Sequence, residues 1–265
     1  MMEYKIPDNI LIETELSDEQ RKIFVEQINR FNELNKYYSV VSSPFFDLDN
    51  NIIFKEGTLI HGIKSYDEEK LESISKTGIL TGQAVGISED CETYYCADFH
   101  RVDKDMMVKD YCINFKHNDG RCPFGETRAD NSIMIAFVVV PNESNGELLS
   151  YDCYRDNTKE SDITKSFINM MPINDRNKGS SILYGVPFSC INGIVVGGKI
   201  LDDKKNIDFL IEKFPHCYII TAFGELIYDP SKSDYLNYER INLRREKYCL
   251  ARDKRKLEMQ TNRLE

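Results

Sequence analysis

Hydrophobic residues recur three and four positions apart in three segments of the chain, and this spacing predicts amphipathic helices. The first segment covers residues 17–34, where Ser17 and Gln20 have the form of a capping box. The second covers residues 67–76 and precedes Gly78, a residue type that commonly ends helices. The third begins after residue 202 or 203 and extends to residue 214. We expect a helix in each segment.

Short apolar runs between turn-forming residues predict buried strands. These runs cover residues 58–63, 132–140, 191–196, 217–222 and 225–228. We expect further short helices over residues 92–102 and 162–171, and a long loop over residues 114–131. Because strands and helices are interspersed without a regular βαβ rhythm, we expect an α+β fold with a mostly antiparallel or mixed sheet.

Composition and charge narrow the classes of function. The 265 residues suffice for a core without disulfides, and no apolar run approaches the length of a membrane span. A net charge of −10 argues against bulk electrostatic binding of nucleic acid. The charge is uneven, because residues 239–265 contain nine Lys or Arg and five Asp or Glu. We expect a solvated charged helix over residues 235–265, with a basic surface for an acidic partner, nucleic acid or membrane headgroups as the alternative.

The N-terminal residues are acidic, whereas a signal peptide needs a basic and then an apolar stretch. We therefore expect a cytoplasmic protein, or one delivered into a host cell without a classical signal peptide. The eight cysteines form no C-x-x-C pair, and we expect them to be reduced thiols.

Two cysteine chemistries compete with this interpretation. Thiolates and imidazoles suit zinc, and six candidate ligands fall close together in the chain: Cys91, Cys96, His100, Cys112, His117 and Cys122. Their spacings are not those of standard zinc knuckles, so we favour buried thiols and expect no metal. A nucleophilic Cys190 or Cys153 paired with His216 is supported only by the presence of these residues.

Three short motifs contain residues suited to nucleotide chemistry. His61 and Gly62 lie in a predicted strand, where an imidazole can bond into a cleft and a glycine admits a flat ligand. Tyr95, within TYYCAD, can stack on an aromatic ring. Glu225, within GELIYD, is a carboxylate on an apolar strand, where burial is unfavourable without a partner or a role. Taken singly, each motif is better explained by packing or solvent exposure.

Taken together and in this order, the motifs resemble the catalytic core of the ADP-ribosyltransferases, in the poly(ADP-ribose)-polymerase-like branch with a His-Tyr-Glu triad. The resemblance covers about residues 58–230 and includes the segments ISKTGIL and VPFSCINGIVVGGKI. It implies a split β-sheet core with flanking helices over residues 58–230. Residues 1–57 would then form a helical and β lobe or lid, and residues 231–265 a charged helix. Gly224 stands where the family usually has asparagine, and Glu126 is the alternative to Glu225.

The resemblance implies cleavage of the nicotinamide–ribose bond of NAD, with transfer of ADP-ribose to a protein or nucleic-acid acceptor. His61 would bond the ribose on the adenosine side, and Gly62 would clamp the nicotinamide carboxamide. Tyr95 would stack on the nicotinamide ring, and Glu225 would stabilise the oxocarbenium-like transition state. No metal takes part in this scheme.

Two alternatives remain open within the same fold. One is an NAD-dependent RNA 2′-phosphotransferase, which the acidic composition disfavours because such an enzyme needs basic residues around the RNA phosphate. The other is a catalytically silent NAD-binding, ADP-ribose-binding or protein-interaction domain, which the departures around Glu225 favour.

Overall fold

The computed structural model describes residues 17–35, 52–80, 96–114, 132–149 and 180–232, together with residues 234–235, 238–239, 241 and 254. In this part of the chain the helices are α1 (Asp18–Leu34), α2 (Glu68–Thr77), α3 (Gly146–Leu149) and α4 (Lys204–Lys213). The strands are β1 (Ile53–Phe54), β2 (Leu59–Ile63), β3 (Ile79–Leu80), β4 (Cys96–Arg101), β5 (Met106–Met107), β6 (Ile135–Val139), β7 (Ser180–Leu183), β8 (Gly185–Val186), β9 (Gly193–Val196), β10 (Tyr218–Thr221), β11 (Leu226–Asp229) and β12 (Asp234–Tyr235).

Eight of these strands form one sheet in the order β12-β11-β10-β9-β6-β2-β4-β7. All neighbouring pairs are antiparallel except β9 and β10, which are parallel and are connected through α4. A parallel pair needs a crossover connection of this kind, because a tight hairpin cannot join parallel strands. The expectation of an α+β fold with a mostly antiparallel or mixed sheet is therefore confirmed.

The sheet has a hydrophobic core on each face. We call the face covered by α1, α2 and α4 the first face; its central side chains are Leu59, Phe137, Ile194 and Ile219. The opposite or second face is covered by β1, β5 and a π-helical turn at Asp110–Asn114; its central side chains are Ile60, Val138, Val195 and Ile220. Because successive side chains of a strand point to opposite faces, the central strands are apolar at nearly every position.

Helix α1 belongs to the core of the first face. Its capping box forms as expected, since the Gln20 amide donates to Ser17 Oγ at 3.3 Å and the Ser17 amide to Gln20 Oε1 at 2.9 Å. Phe24 and Phe31 make edge contacts with the buried ring of Tyr184, at centroid distances of 5.7 and 5.1 Å. The helix that we expected in a separate lobe or lid thus shares the core of the sheet.

Helix α2 ends at a glycine, as its sequence predicts. Gly78 has a φ of 97°, in the region that side-chain-bearing residues rarely adopt. A Cβ at this position would lie 2.3 Å from the carbonyl oxygen of Val186 in β8. Gly78 therefore both ends the helix and allows the close approach of β8, which pairs with β3.

All five predicted strands are confirmed, as β2, β6, β9, β10 and β11. The helix expected over residues 92–102 is wrong, because residues 96–101 form strand β4. In β4, Ala97 and Phe99 are buried while Asp98 and His100 are half-buried, which is the alternation of a strand. The helix expected over residues 162–171 lies outside the described residues, as does most of the loop expected over residues 114–131.

The basic C-terminal segment, expected as a solvated helix, contributes to the first core. Tyr238 and Ile241 are buried, and the Tyr238 hydroxyl donates a hydrogen bond to the carbonyl of Leu201. The start of this segment is therefore anchored on the domain.

Candidate functional site

Strands β2 and β4 separate partway along their length. Leu59 and Ile60 pair with the last two residues of β4, whereas the first four residues of β4 pair with β7 on its other edge. Strand β2 meanwhile remains paired with β6 through Ile63. Residues 61–63 of β2 and 96–99 of β4 thus face each other without a strand ladder. We call this place the β2–β4 opening.

The side chain of His61 bridges the opening. Its Nδ1 lies 2.8 Å from the carbonyl oxygen of Asp98, and because a carbonyl can only accept, Nδ1 carries the proton and donates. The ring also packs against Phe99, at a centroid distance of 5.6 Å. This bond fixes both the tautomer and the orientation of the imidazole, and leaves Nε2 as an acceptor.

The protonation state of His61 agrees with this tautomer. Burial lowers the pKa of His61; the bond to the Asp98 carbonyl opposes that shift, and the positive charge of Lys70 adds to it. The imidazole is therefore neutral at pH 7.

Gly62 presents backbone groups to the opening. The Val102 amide donates to the Thr58 carbonyl at 2.9 Å, so the backbone groups of Thr58 face β4. Because the direction of these groups alternates along a strand, the backbone N–H and C=O of residues 60 and 62 also face β4. Extending the register of Ile60 with His100 by two residues places Gly62 opposite Asp98. In a continuous ladder the Gly62 amide would donate to the carbonyl of Asp98. That carbonyl instead accepts the hydrogen bond from His61 Nδ1. Gly62 itself is exposed.

Glu225 lies elsewhere in the sheet. Strands β6, β9 and β10 lie between β2 and the strand that follows Glu225, a lateral separation of about 19 Å at normal strand spacing. The Glu225 backbone closes the β10–β11 hairpin: its amide donates to Thr221 Oγ1 at 3.0 Å, and its carbonyl accepts from the Thr221 amide at 2.8 Å. The structure brings His61 and Gly62 together and separates Glu225 from them.

Two predicted residues lie outside the described part of the chain. Tyr95 immediately precedes Cys96, the first residue of β4, and Glu126 lies between the described ranges. Their predicted roles therefore stay predictions.

The family resemblance implies no role for Asp98, although this residue belongs to the TYYCAD motif. In the structure its carbonyl accepts the hydrogen bond that orients His61, and the residue is half-buried. The alternation of Ala97 and Phe99 with Asp98 and His100 is the signal that identifies this strand and its polar face.

The described candidates for zinc binding do not converge. Cys96 packs in the first core and Cys112 in the second, so the sheet lies between them. His100 Nδ1 lies 2.8 Å from the hydroxyl of Tyr111, a residue of the π-helical turn. Over the described ranges, no three His, Cys, Asp or Glu side chains are placed to hold a metal ion. The other three candidates, Cys91, His117 and Cys122, lie outside those ranges.

The thiols of Cys190 and Cys217 are poor nucleophiles. Burial raises the pKa of Cys190 to about 12 and also raises the pKa of Cys217, so both remain protonated. Burial lowers the pKa of His216, whose Nε2 donates to the Phe188 carbonyl at 3.1 Å. A pair of this kind lacks the thiolate that cysteine catalysis requires. Cys153 lies outside the described residues.

Comparison with known proteins gives no relative of this chain. No family model matches it, and neither the curated proteins nor the solved structures include one that is significantly similar. Among the described helices, none combines the length and the apolar character needed to cross a membrane. We therefore infer function from the chemistry of the β2–β4 opening.

Proposed function

We propose that the protein is an NAD-dependent ADP-ribosyltransferase that cleaves the nicotinamide–ribose bond and transfers ADP-ribose to a macromolecular acceptor. The observation that carries the proposal is the β2–β4 opening. There, an oriented neutral imidazole on His61 adjoins an exposed glycine whose backbone N–H and C=O face an interrupted ladder.

Gly62 suits the recognition of a primary carboxamide. The carboxamide of nicotinamide has one carbonyl acceptor and one amide donor, which complement the N–H and C=O of a single residue on a strand edge. Because Gly62 has no side chain, the flat ring can approach the backbone closely.

His61 suits the recognition of a hydroxyl group. With the proton held on Nδ1 by the Asp98 carbonyl, Nε2 can accept a hydrogen bond but cannot donate one. A ribose hydroxyl on the adenosine side of NAD is such a donor. Tyr95, which precedes β4 in the chain, keeps its proposed role of stacking on the nicotinamide ring.

The proposed reaction is a substitution at C1′ of the nicotinamide riboside. The bond from C1′ to the nicotinamide nitrogen breaks, and its electron pair leaves with nicotinamide, which becomes neutral. An oxygen or nitrogen of the acceptor forms the new bond to C1′ and loses a proton. The protein would contribute by holding both ends of the dinucleotide and by favouring positive charge on the ribose.

The direct test is incubation of the purified protein with NAD labelled in its adenylate part, together with a whole-cell extract. We expect release of nicotinamide and label on a macromolecule, with protein and nucleic acid analysed separately. His61→Gln serves as the matched variant and should lower both signals. A wild-type protein that neither binds NAD nor releases nicotinamide contradicts the proposal.

A second candidate function is the binding of NAD or ADP-ribose without cleavage. The separation of Glu225 from His61 by three strands favours it, because the carboxylate expected from the family resemblance does not reach the opening. Calorimetric binding of NAD without release of nicotinamide would select this function over the transferase.

A further inference from the structure

We infer that the charge on His61 sets the ligand preference of the β2–β4 opening: the neutral imidazole selects a ribose hydroxyl, and the protonated imidazole selects a phosphate. The inference rests on the proposed binding of NAD and goes beyond it. NADP differs from NAD by a phosphate on the 2′-oxygen of the adenosine ribose, so the preference for NAD over NADP should weaken in acid. The inference follows from the hydrogen bond that holds the ring.

The bond to Asp98 fixes where a second proton can add to the ring. Nδ1 already carries a proton and donates it to the Asp98 carbonyl at 2.8 Å. Among the described residues, no other group forms a hydrogen bond with this imidazole, so Nε2 is both the position that takes up a proton and the position left for a ligand. Because the protonated ring keeps the proton on Nδ1, it stays bonded to Asp98. Acid therefore changes Nε2 from an acceptor to a donor without releasing the ring.

The elements around His61 leave this charge without a negative partner in the protein. On β6 the residue paired with His61 is Phe137, which is apolar. On β4, alternation turns the side chains of Asp98 and His100 to the face of the sheet opposite the His61 ring. On α2 the charged group that acts on the ring is Lys70, whose positive charge adds to the lowering of the His61 pKa by burial. An anionic ligand is therefore the group that would stabilise the protonated ring.

A neutral His61 discriminates against a phosphate. Its Nε2 accepts a hydrogen bond from a ribose hydroxyl. The 2′-phosphate of NADP is a phosphate monoester, which carries about −1.5 to −2 charge at pH 7 and offers that lone pair almost no donor. Since the ring is half-buried, a phosphate in contact with Nε2 would lose water without gaining a partner. The opening should therefore prefer NAD at neutral pH.

A protonated His61 favours the phosphate instead. Nε2 then donates a charge-assisted hydrogen bond, which is stronger to a phosphate oxygen than to a hydroxyl. By linkage, binding of NADP takes up a proton and raises the pKa of His61, whereas binding of NAD through the lone pair of Nε2 opposes protonation. The ammonium group of Lys70 would attract a phosphate as well, but it stays charged between pH 5 and 8. A preference that changes with pH in this range therefore reports His61 rather than Lys70.

The test measures the affinities for NAD and NADP by calorimetry at about pH 7.5 and about pH 5.5, with circular dichroism to check the fold at both values. We expect NAD to bind at least about 30-fold more tightly than NADP at the higher pH, and this ratio to fall at least about 10-fold at the lower pH. In His61→Gln the ratio should change less than about threefold, which measures the proton uptake of the phosphate itself near pH 6. His216→Gln is the matched control: it replaces another imidazole that is bonded to a carbonyl, and it should behave as wild type.

A wild-type ratio that changes with pH no more than that of His61→Gln overturns the inference. If the wild type does not stay folded in acid, His61→Arg decides at about pH 7.5, because it places a permanent cation on β2; an undiminished preference for NAD in this variant then overturns the inference. A wild type that shows the change in preference but releases no nicotinamide supports the inference and contradicts the transferase. A wild type that binds neither nucleotide at either pH overturns the proposed function and this inference together.

Discussion

The β2–β4 opening and the β10–β11 hairpin lie at the same end of the sheet, yet they differ in how their backbone is used. Ile63, Ile135, Val196 and Thr221 are aligned across the strands at this end. At the hairpin, main-chain and side-chain bonds between Thr221 and Glu225 close the turn. At the opening, the ladder stops and a histidine side chain takes the carbonyl that would continue it.

The comparison shows that a segment whose sequence resembles a catalytic motif is not necessarily the segment whose backbone is free to bind a ligand. The hairpin contains the motif that most resembles a catalytic glutamate strand, but its backbone is already satisfied within the turn. The opening has the less conspicuous motif, and it offers an exposed glycine beside an oriented imidazole. Function is better sought where regular pairing is interrupted.

The largest expected effect is that of filling the opening with Gly62→Val. A β-branched residue suits a strand, so the fold should persist, but its side chain would block approach to the backbone. We expect NAD affinity to fall more than about 100-fold, which corresponds to the loss of two hydrogen bonds and of ring contact. Calorimetry measures the affinity and thermal unfolding checks the fold.

Gly146→Ala is the control for this variant, because a Cβ on Gly146 would meet no atom within 4 Å. Wild-type NAD affinity in Gly62→Val would show that ligand does not approach this strand.

Removing the imidazole with His61→Ala should have the next largest effect. It deletes the acceptor for the ribose hydroxyl and frees the Asp98 carbonyl to accept from Gly62. We expect NAD affinity to fall about 10- to 100-fold, the range for loss of one well-placed hydrogen bond together with local reordering. Hydrogen exchange should in addition show a more protected Gly62 amide. If the Gly62 amide is no more protected than in wild type and NAD affinity is unchanged, His61 does not have the proposed bridging role.

Acid should weaken the folded state through two imidazoles, the half-buried one of His61 and the buried one of His216. Burial lowers the pKa values of His61 and His216, so the unfolded chain takes up protons first as the pH falls. The contribution of the two neutral imidazoles to the free energy of unfolding is therefore fully present above about pH 6.5. It decreases as the pH falls below that value, by at most about 1.4 kcal/mol per pH unit for each histidine. Urea unfolding at several pH values measures this slope.

The variant His61→Gln should show a shallower slope of stability against pH than wild type, and His216→Gln a similar reduction. Equal slopes in wild type and His61→Gln would mean that the opening does not keep its imidazole neutral.

The smallest effect is expected at the hairpin. Thr221→Val keeps the shape of the side chain but removes the acceptor for the Glu225 amide. We expect a loss of about 1 kcal/mol in the free energy of unfolding, the usual value for one such bond, and no change in NAD affinity. A strong loss of affinity in this variant would instead bring the hairpin into the site.

Local features of the fold could be predicted from the sequence because nearest neighbours determine them. The capping box of Ser17 and Gln20, the glycine end of α2 at Gly78 and the apolar run of β6 each depend on a few adjacent residues. Strand β4 was missed because the apolar run before Asp98 obscures an alternation only a few residues long.

The arrangement of the site could be predicted only in part. His61 and Gly62 are adjacent in the chain, so their proximity is given by their order. The distance from Glu225 to His61 depends on which strands pair across the sheet, and short strands of similar apolar character carry little information about their partners. The hydrogen bond from His61 to the Asp98 carbonyl depends in the same way on the pairing of β2 with β4.

A single glutamine in α1 has a consequence for the way in which α3 and β7 are held. The buried Gln27 Nε2 donates to the carbonyl of Leu148 at 3.0 Å and to that of Leu183 at 3.2 Å, which tethers both flanks of residues 150–179 to one amide group. The end of α3 and the end of β7 are therefore held together through α1, whatever the residues that connect them in the sequence.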